Sequence, residues 1–139
     1  MIPMTEQEVL DKLLPLVQEV TGAPEQRICM ESVLVEDLGA ESLDLLDLSF
    51  LIEEAFGVTI GADEFERQVR AGSLEGVYDR DGLLTEEAIH RLREALPEVP
   101  PEKLQPGLPK VALPRVLNVA VFVHQIQRKL AEAQEEAAA

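Results

Sequence analysis

Three stretches of this chain place apolar residues three and four apart, and no two segments read as a pair of strands. That periodicity limits the fold to helices packed on one another. The first helix is signalled by Thr5 with Glu8 three residues on, a capping box in which each side chain can satisfy the other residue's free backbone N–H. It runs from about Glu6 to Val20, with Val9, Leu10, Leu13, Leu14, Val17 and Val20 on one stripe and the stop Thr21-Gly22-Ala23-Pro24 behind it. Pro15 falls inside and predicts a kink, because it removes one intrahelical hydrogen bond and clashes with the preceding turn. Residues 25–40 carry Ile28, Val33, Leu34 and Leu38, too apolar for a free linker, and so add to the core. The second helix runs from Ser42 to about Ala55 with a wide apolar face and a strongly acidic one. Phe56–Ile60 follows as an extended connector.

The next fifty residues are less regular. Asp63–Ala71 predicts a short helix, Gly72–Leu84 a loop, and Thr85 caps a helix over Glu86–Leu96. Pro97, Pro100, Pro101, Pro106 and Pro109 then predict a rigid extended connector outside the core. Pro114 starts the last helix, Arg115–Leu130, and the tail 131–139 is expected to fray. The expectation is one all-α domain, an antiparallel helical bundle over 1–139 with an insertion at about 62–113.

Charge narrows the partners. The 139 residues hold 27 acids and 12 bases, a net charge of −15, and residues 1–62 alone hold 13 acids against 2 bases. Such a chain repels phosphate backbones and anionic headgroups, so nucleic acid and membrane surfaces are poor partners and proteins with basic patches are good ones. With 46% hydrophobic residues it can build a core without metal or disulfide. No apolar run approaches the roughly 18 residues of a membrane span, and the start lacks a secretory pattern. A monomeric cytoplasmic protein is expected.

Single residues add little chemistry. Cys29 reads as a small buried apolar residue, His90 and His124 have no triad spacing, and no metal site is expected. Asp79-Arg80-Asp81-Gly82 matches part of a calcium loop, but the loop's first and last ligand positions would fall on Val77 and Ala88, which excludes it. The arginines at 67, 70, 80, 91 and 93 read as salt-bridge partners for the chain's own acids, with a second surface for one dedicated partner as the alternative.

The informative segment is Asp37-Leu38-Gly39-Ala40-Glu41-Ser42-Leu43-Asp44. Ser42 stands at the mouth of the second helix, where free N–H groups and the macrodipole favour an anionic oxygen substituent. A serine before an apolar run is also an ordinary N-cap. Here, however, the sequence resembles the acyl carrier protein family, whose signature is D-S-L-[DE] at the start of its second helix. The match includes Glu41-Ser42-Leu43-Asp44, the leading Asp37-Leu38-Gly39, and the trailing Glu53-Glu54-x-Phe56-Gly57-Val58-x-Ile60. It covers residues 5–61 and again 114–130; Glu41 replaces the usual Asp, and 62–113 stands in place of a short third helix.

The resemblance implies that a phosphopantetheinyl transferase attaches 4′-phosphopantetheine to Ser42 and that the arm's thiol carries an acyl group as a thioester. The chain is then a carrier and not an enzyme, delivering cargo to fatty acid, polyketide or related biosynthetic enzymes. Asp37, Glu41, Leu43, Asp44, Asp47, Glu53 and Glu54 are its implied docking residues for ligase, ketosynthase or acyltransferase enzymes with basic patches. Leu46, Phe50 and Ile52, core by periodicity, are the implied lining of an acyl pocket. Two alternatives stand beside this one: an unmodified interaction module of the same fold, and an aminoacyl or aryl carrier of a nonribosomal pathway. For 62–113, three roles stay open: covering the second helix, extending a cargo cavity, or docking an enzyme.

Overall fold

The structure is a computed structural model and describes residues 4–60 and 78–138. The helix expected over Asp63–Ala71 lies outside the described residues. Helix α1 spans Glu6–Thr21; Thr5 Oγ1 accepts from Glu8 N–H (3.1 Å) while Thr5 N–H donates to Glu8 Oε1 (2.9 Å), the capping box read from sequence. The element runs on through Pro15, whose ring is exposed, so one hydrogen bond is lost and the helix is not ended. Val9, Leu13 and Val17, four apart, are buried; each such burial is worth about 1.5–3 kcal/mol. Helix α2 spans Ser42–Phe56 and turns Leu45, Leu48, Ile52 and Phe56 inward. Helix α1 packs against both α2 and the last helix, so the bundle expectation holds.

Residues 25–40 join the core as expected, with Ile28, Val33, Leu34 and Leu38 buried. They are also stitched to the C-terminal half: Leu34 N–H donates to Leu117 O (3.3 Å), Val119 N–H to Ser32 O (3.0 Å) and Ala120 N–H to Met30 O (2.9 Å). This ladder fixes the turn ahead of Ser42 against the start of the last helix.

Four expectations are corrected. The loop read over Gly72–Leu84 contains a hairpin, β1 (Asp79–Arg80) paired antiparallel with β2 (Leu83–Leu84). Its connection, Asp81-Gly82, has positive φ at both residues (53° and 81°), the type I′ geometry that suits Asp-Gly. Helix α3 spans Glu86–Ala95 with Thr85 capping Ala88 N–H (3.2 Å). The proline segment after it is not a connector outside the core: Leu96, Val99 and Leu104 are buried, and Arg93 Nε donates to Leu104 O (2.9 Å). Prolines interrupt helices without preventing the residues between them from packing.

Pro114 lies within a 3₁₀ helix, Lys110–Val116, and the last α-helix, α4, starts later, at Val119. Asn118 explains the shift, since its buried side chain accepts from Val121 N–H (3.1 Å) and donates to Glu98 O (2.9 Å), an N-cap tied to the proline segment. Helix α4 extends to Ala138. Finally, Cys29 is exposed, because Ile28 beside it takes the inward place.

Candidate functional site

The turn preceding α2 is built from short-range hydrogen bonds. Asp37 Oδ2 accepts from Val33 N–H (2.7 Å), Ala40 N–H donates to Leu34 O (2.9 Å), and Gly39 takes a φ of 74° that a residue with a Cβ rarely adopts. Lys103 adds an ion pair to Glu36 (3.0 Å) and Arg27 donates to Asp37 O (2.8 Å), so the turn is held on both sides. Chain direction into α2 is thereby set, and Ser42 arrives as its first helical residue.

Ser42 is not the N-cap. That place belongs to Glu41, whose N–H donates to Asp44 Oδ2 (2.8 Å). Leu45 N–H makes the first intrahelical bond, to Glu41 O (3.1 Å). Ser42 is exposed and its hydroxyl has no hydrogen-bond partner among the described residues, so it does no capping work. An exposed primary alcohol at the positive end of a fifteen-residue helix is suited to bearing an anionic ester.

The implied docking and pocket residues sort differently from the sequence reading. Ile52 is buried, but Leu46 and Phe50 are 50% and 57% exposed, so neither belongs to the core. Four-residue spacing within α2 puts Leu48, Ile52 and Phe56 inside; Leu46 and Phe50 lie with Leu43 (71% exposed) on the outer face. Beside them Asp47, Glu53 and Glu54 are exposed and make no ion pair with a described residue. Asp37 and Asp44 have local duties, holding the turn and the helix start. The outer face of α2 is therefore an apolar stripe edged by free carboxylates.

Ser42 also lines a groove of about 740 Å³. Val35, Ala40, Glu41 and Leu45 form one side of it; Pro109, Val111, Ala112, Pro114 and Arg115 form the other. The sequence left open that 62–113 extends a cargo cavity, but it marked none of these residues and placed Pro114 and Arg115 at the start of the last helix. These residues follow Ser42 by some seventy positions, and no local pattern marks them as its neighbours.

Comparison with known proteins agrees with this geometry. The family model described as a phosphopantetheine attachment site matches residues 11–77, a stretch that includes Ser42. An acyl carrier protein of Thermotoga maritima is 33% identical over 76 residues, 55% of this chain and 94% of that protein. One from Buchnera aphidicola is 36% identical over 73 residues, 52% of this chain and 90% of its own length. The acyl carrier protein AcpXL of Brucella melitensis is 34% identical over 64 residues, 46% of this chain and 69% of its own length. No solved structure matches the chain.

The fold and the attachment-site match define a phosphopantetheine-binding carrier, a class that transports groups and does not transform them. The chain belongs to the acyl carrier protein family, and its cofactor is covalently bound 4′-phosphopantetheine. The residues present fit that group: an unpartnered exposed hydroxyl, a groove that Ser42 helps to line, and an arginine in the groove wall. Among the described residues, no helix is long and apolar enough to cross a membrane.

Proposed function

We propose that Ser42 carries the 4′-phosphopantetheine arm and that this chain delivers acyl groups, held as thioesters, to fatty acid, polyketide or related biosynthetic enzymes. The observation that carries this reading is the position of Ser42: first residue of α2, exposed, and free of capping or hydrogen-bonding work. When attached, the arm supplies the thiol; the protein's own residues orient the attachment point and present it to partners.

The outer face of α2 is the proposed docking surface. Leu43, Leu46 and Phe50 give apolar contact, and Asp47, Glu53 and Glu54 attract basic patches on a transferase, ligase, ketosynthase or acyltransferase. Exposed charges of this kind raise encounter rates and set orientation more than they tighten binding, which suits a protein that must leave each partner. The reading includes a monomeric cytoplasmic carrier in which 62–113 is an insertion within a single carrier domain. Incubation with coenzyme A and a promiscuous phosphopantetheinyl transferase tests it. Wild-type protein should gain one phosphopantetheine by intact mass and Ser42→Ala none; no gain by wild type, with a control carrier modified in parallel, sinks the proposal.

A further inference from the structure

The groove beside Ser42 has a wall that α1, α2 and α4 do not supply. Pro109 to Arg115 forms it, and three features of that wall bear on what the groove holds. The first is charge. Arg115 is exposed and makes no ion pair with a described residue, in a chain with 27 acids. Glu41 lines the same groove, so an anion placed there without a cation opposite would be repelled. The second is polarity. Val111 is 80% exposed on the groove and Val35 and Ala112 are partly exposed, giving an apolar surface that water covers poorly. The third is stiffness, since Pro109 and Pro114 have fixed φ and hold the wall in one shape before anything binds.

A chain fixed to Ser42 starts from the lining of this groove and can lie along it. Phosphopantetheine begins with a phosphodiester that keeps one negative charge at any physiological pH, then a gem-dimethyl carbon, then two amides and a thiol. That order matches a groove whose lining includes the serine, one cation and apolar side chains. A guanidinium is suited to the task, because its planar fork pairs with two phosphate oxygens at once. The volume, about 740 Å³, lies within the roughly 300–1,000 Å³ usual for small-molecule sites.

We infer that Arg115 binds the phosphodiester of the arm on Ser42, and that Val35, Val111 and Ala112 seat its pantoyl segment; this rests on Ser42 being the attachment point. The stretch around 109–115 is therefore a holder for the prosthetic arm in its resting state. The arm lies along the protein between visits to partners, and its phosphate stays paired while the thiol end swings out. Arg115 acts as a binding residue toward the cofactor and takes no part in attaching it.

The test uses the full chain loaded by a transferase with coenzyme A, compared with Arg115→Gln loaded identically. Phosphorus-31 NMR of the loaded wild type should show a phosphodiester resonance that moves in Arg115→Gln. Nuclear Overhauser contacts from the gem-dimethyl protons to the methyls of Val35, Val111 and Ala112 should be present in wild type and weakened in the variant. Val111→Ser should weaken the methyl contacts and leave the phosphorus resonance in place. Loading with an unmoved phosphorus resonance and no methyl contacts overturns the inference alone. Failure of wild type to gain mass overturns the Ser42 reading, and this inference with it.

Discussion

Leu48→Ala and Phe50→Ala, made separately, show which face of α2 is inside. Leu48 is fully buried, and the side-chain carbons lost on truncation cost about 2 kcal/mol in transfer free energy. The cavity left under α1 adds to this, for a total of about 3 kcal/mol, within the range of roughly 2–5 kcal/mol for buried leucines. In a chain of this size that is a fall in Tm of roughly 10 °C. Phe50, although larger, is 57% exposed, and its truncation should change stability by no more than about 0.5 kcal/mol. If the proposed docking face is right, its effect falls on docking: loss of an aromatic anchor worth about 1.4 kcal/mol should lower transferase kcat/KM about tenfold. Urea unfolding followed by far-UV circular dichroism, with the loading assay on the same samples, separates the two outcomes. A cost above about 2 kcal/mol for Phe50→Ala, or below about 0.5 kcal/mol for Leu48→Ala, refutes the assignment of faces.

Other perturbations read other parts of the molecule. Asn118→Ala removes the cap of α4 and its tie to Glu98 O, and should cost about 1–2 kcal/mol; hydrogen exchange should rise first at Val119–Val121. His124, as the imidazolium, donates from Nδ1 to Glu98 (2.6 Å) and from Nε2 to Glu6 (3.0 Å); burial works to lower its pKa, and the two carboxylates outweigh burial and hold it above 6.5. Its folded pKa exceeds the unfolded one, so the stabilisation is complete below pH of about 6.5 and disappears as pH rises through the raised value. The stability difference between wild type and His124→Asn should therefore shrink from mildly acidic toward alkaline pH, from a maximum of about 1 kcal/mol given the partial exposure of the ring. A difference that grows with pH contradicts this. Asp47→Asn with Glu53→Gln and Glu54→Gln should slow association with a transferase severalfold and flatten its salt dependence, measured by stopped flow, with stability unchanged.

Local chemistry made α1 and α2 legible. Thr5 with Glu8, and the spacing of Val9, Leu13 and Val17, define one helix and its inward face without reference to anything distant. Ser42 was legible for the same reason, since its neighbours in sequence build its turn and its helix. The facing of Leu46 and Phe50 was not, because the apolar face of α2 is wide and its periodicity leaves the inner stripe undetermined until α1 packs on it. The Asp81-Gly82 hairpin and the Asn118 cap carry recognisable local signals that the calcium-loop question and Pro114 obscured. The groove wall at Val111 and Arg115 carries none, since only tertiary packing brings it to Ser42.

The central claim is that Ser42 is the point at which this carrier is loaded in the cell. Tandem mass spectrometry of the protein isolated from its own cells tests it most directly, because fragmentation releases the pantetheine portion and locates the phosphate left behind. The account predicts the phosphopantetheine, with or without an acyl group, on the peptide containing Ser42 and on no other serine or threonine. The modification found on another residue, or Ser42 recovered unmodified from growing cells, contradicts it.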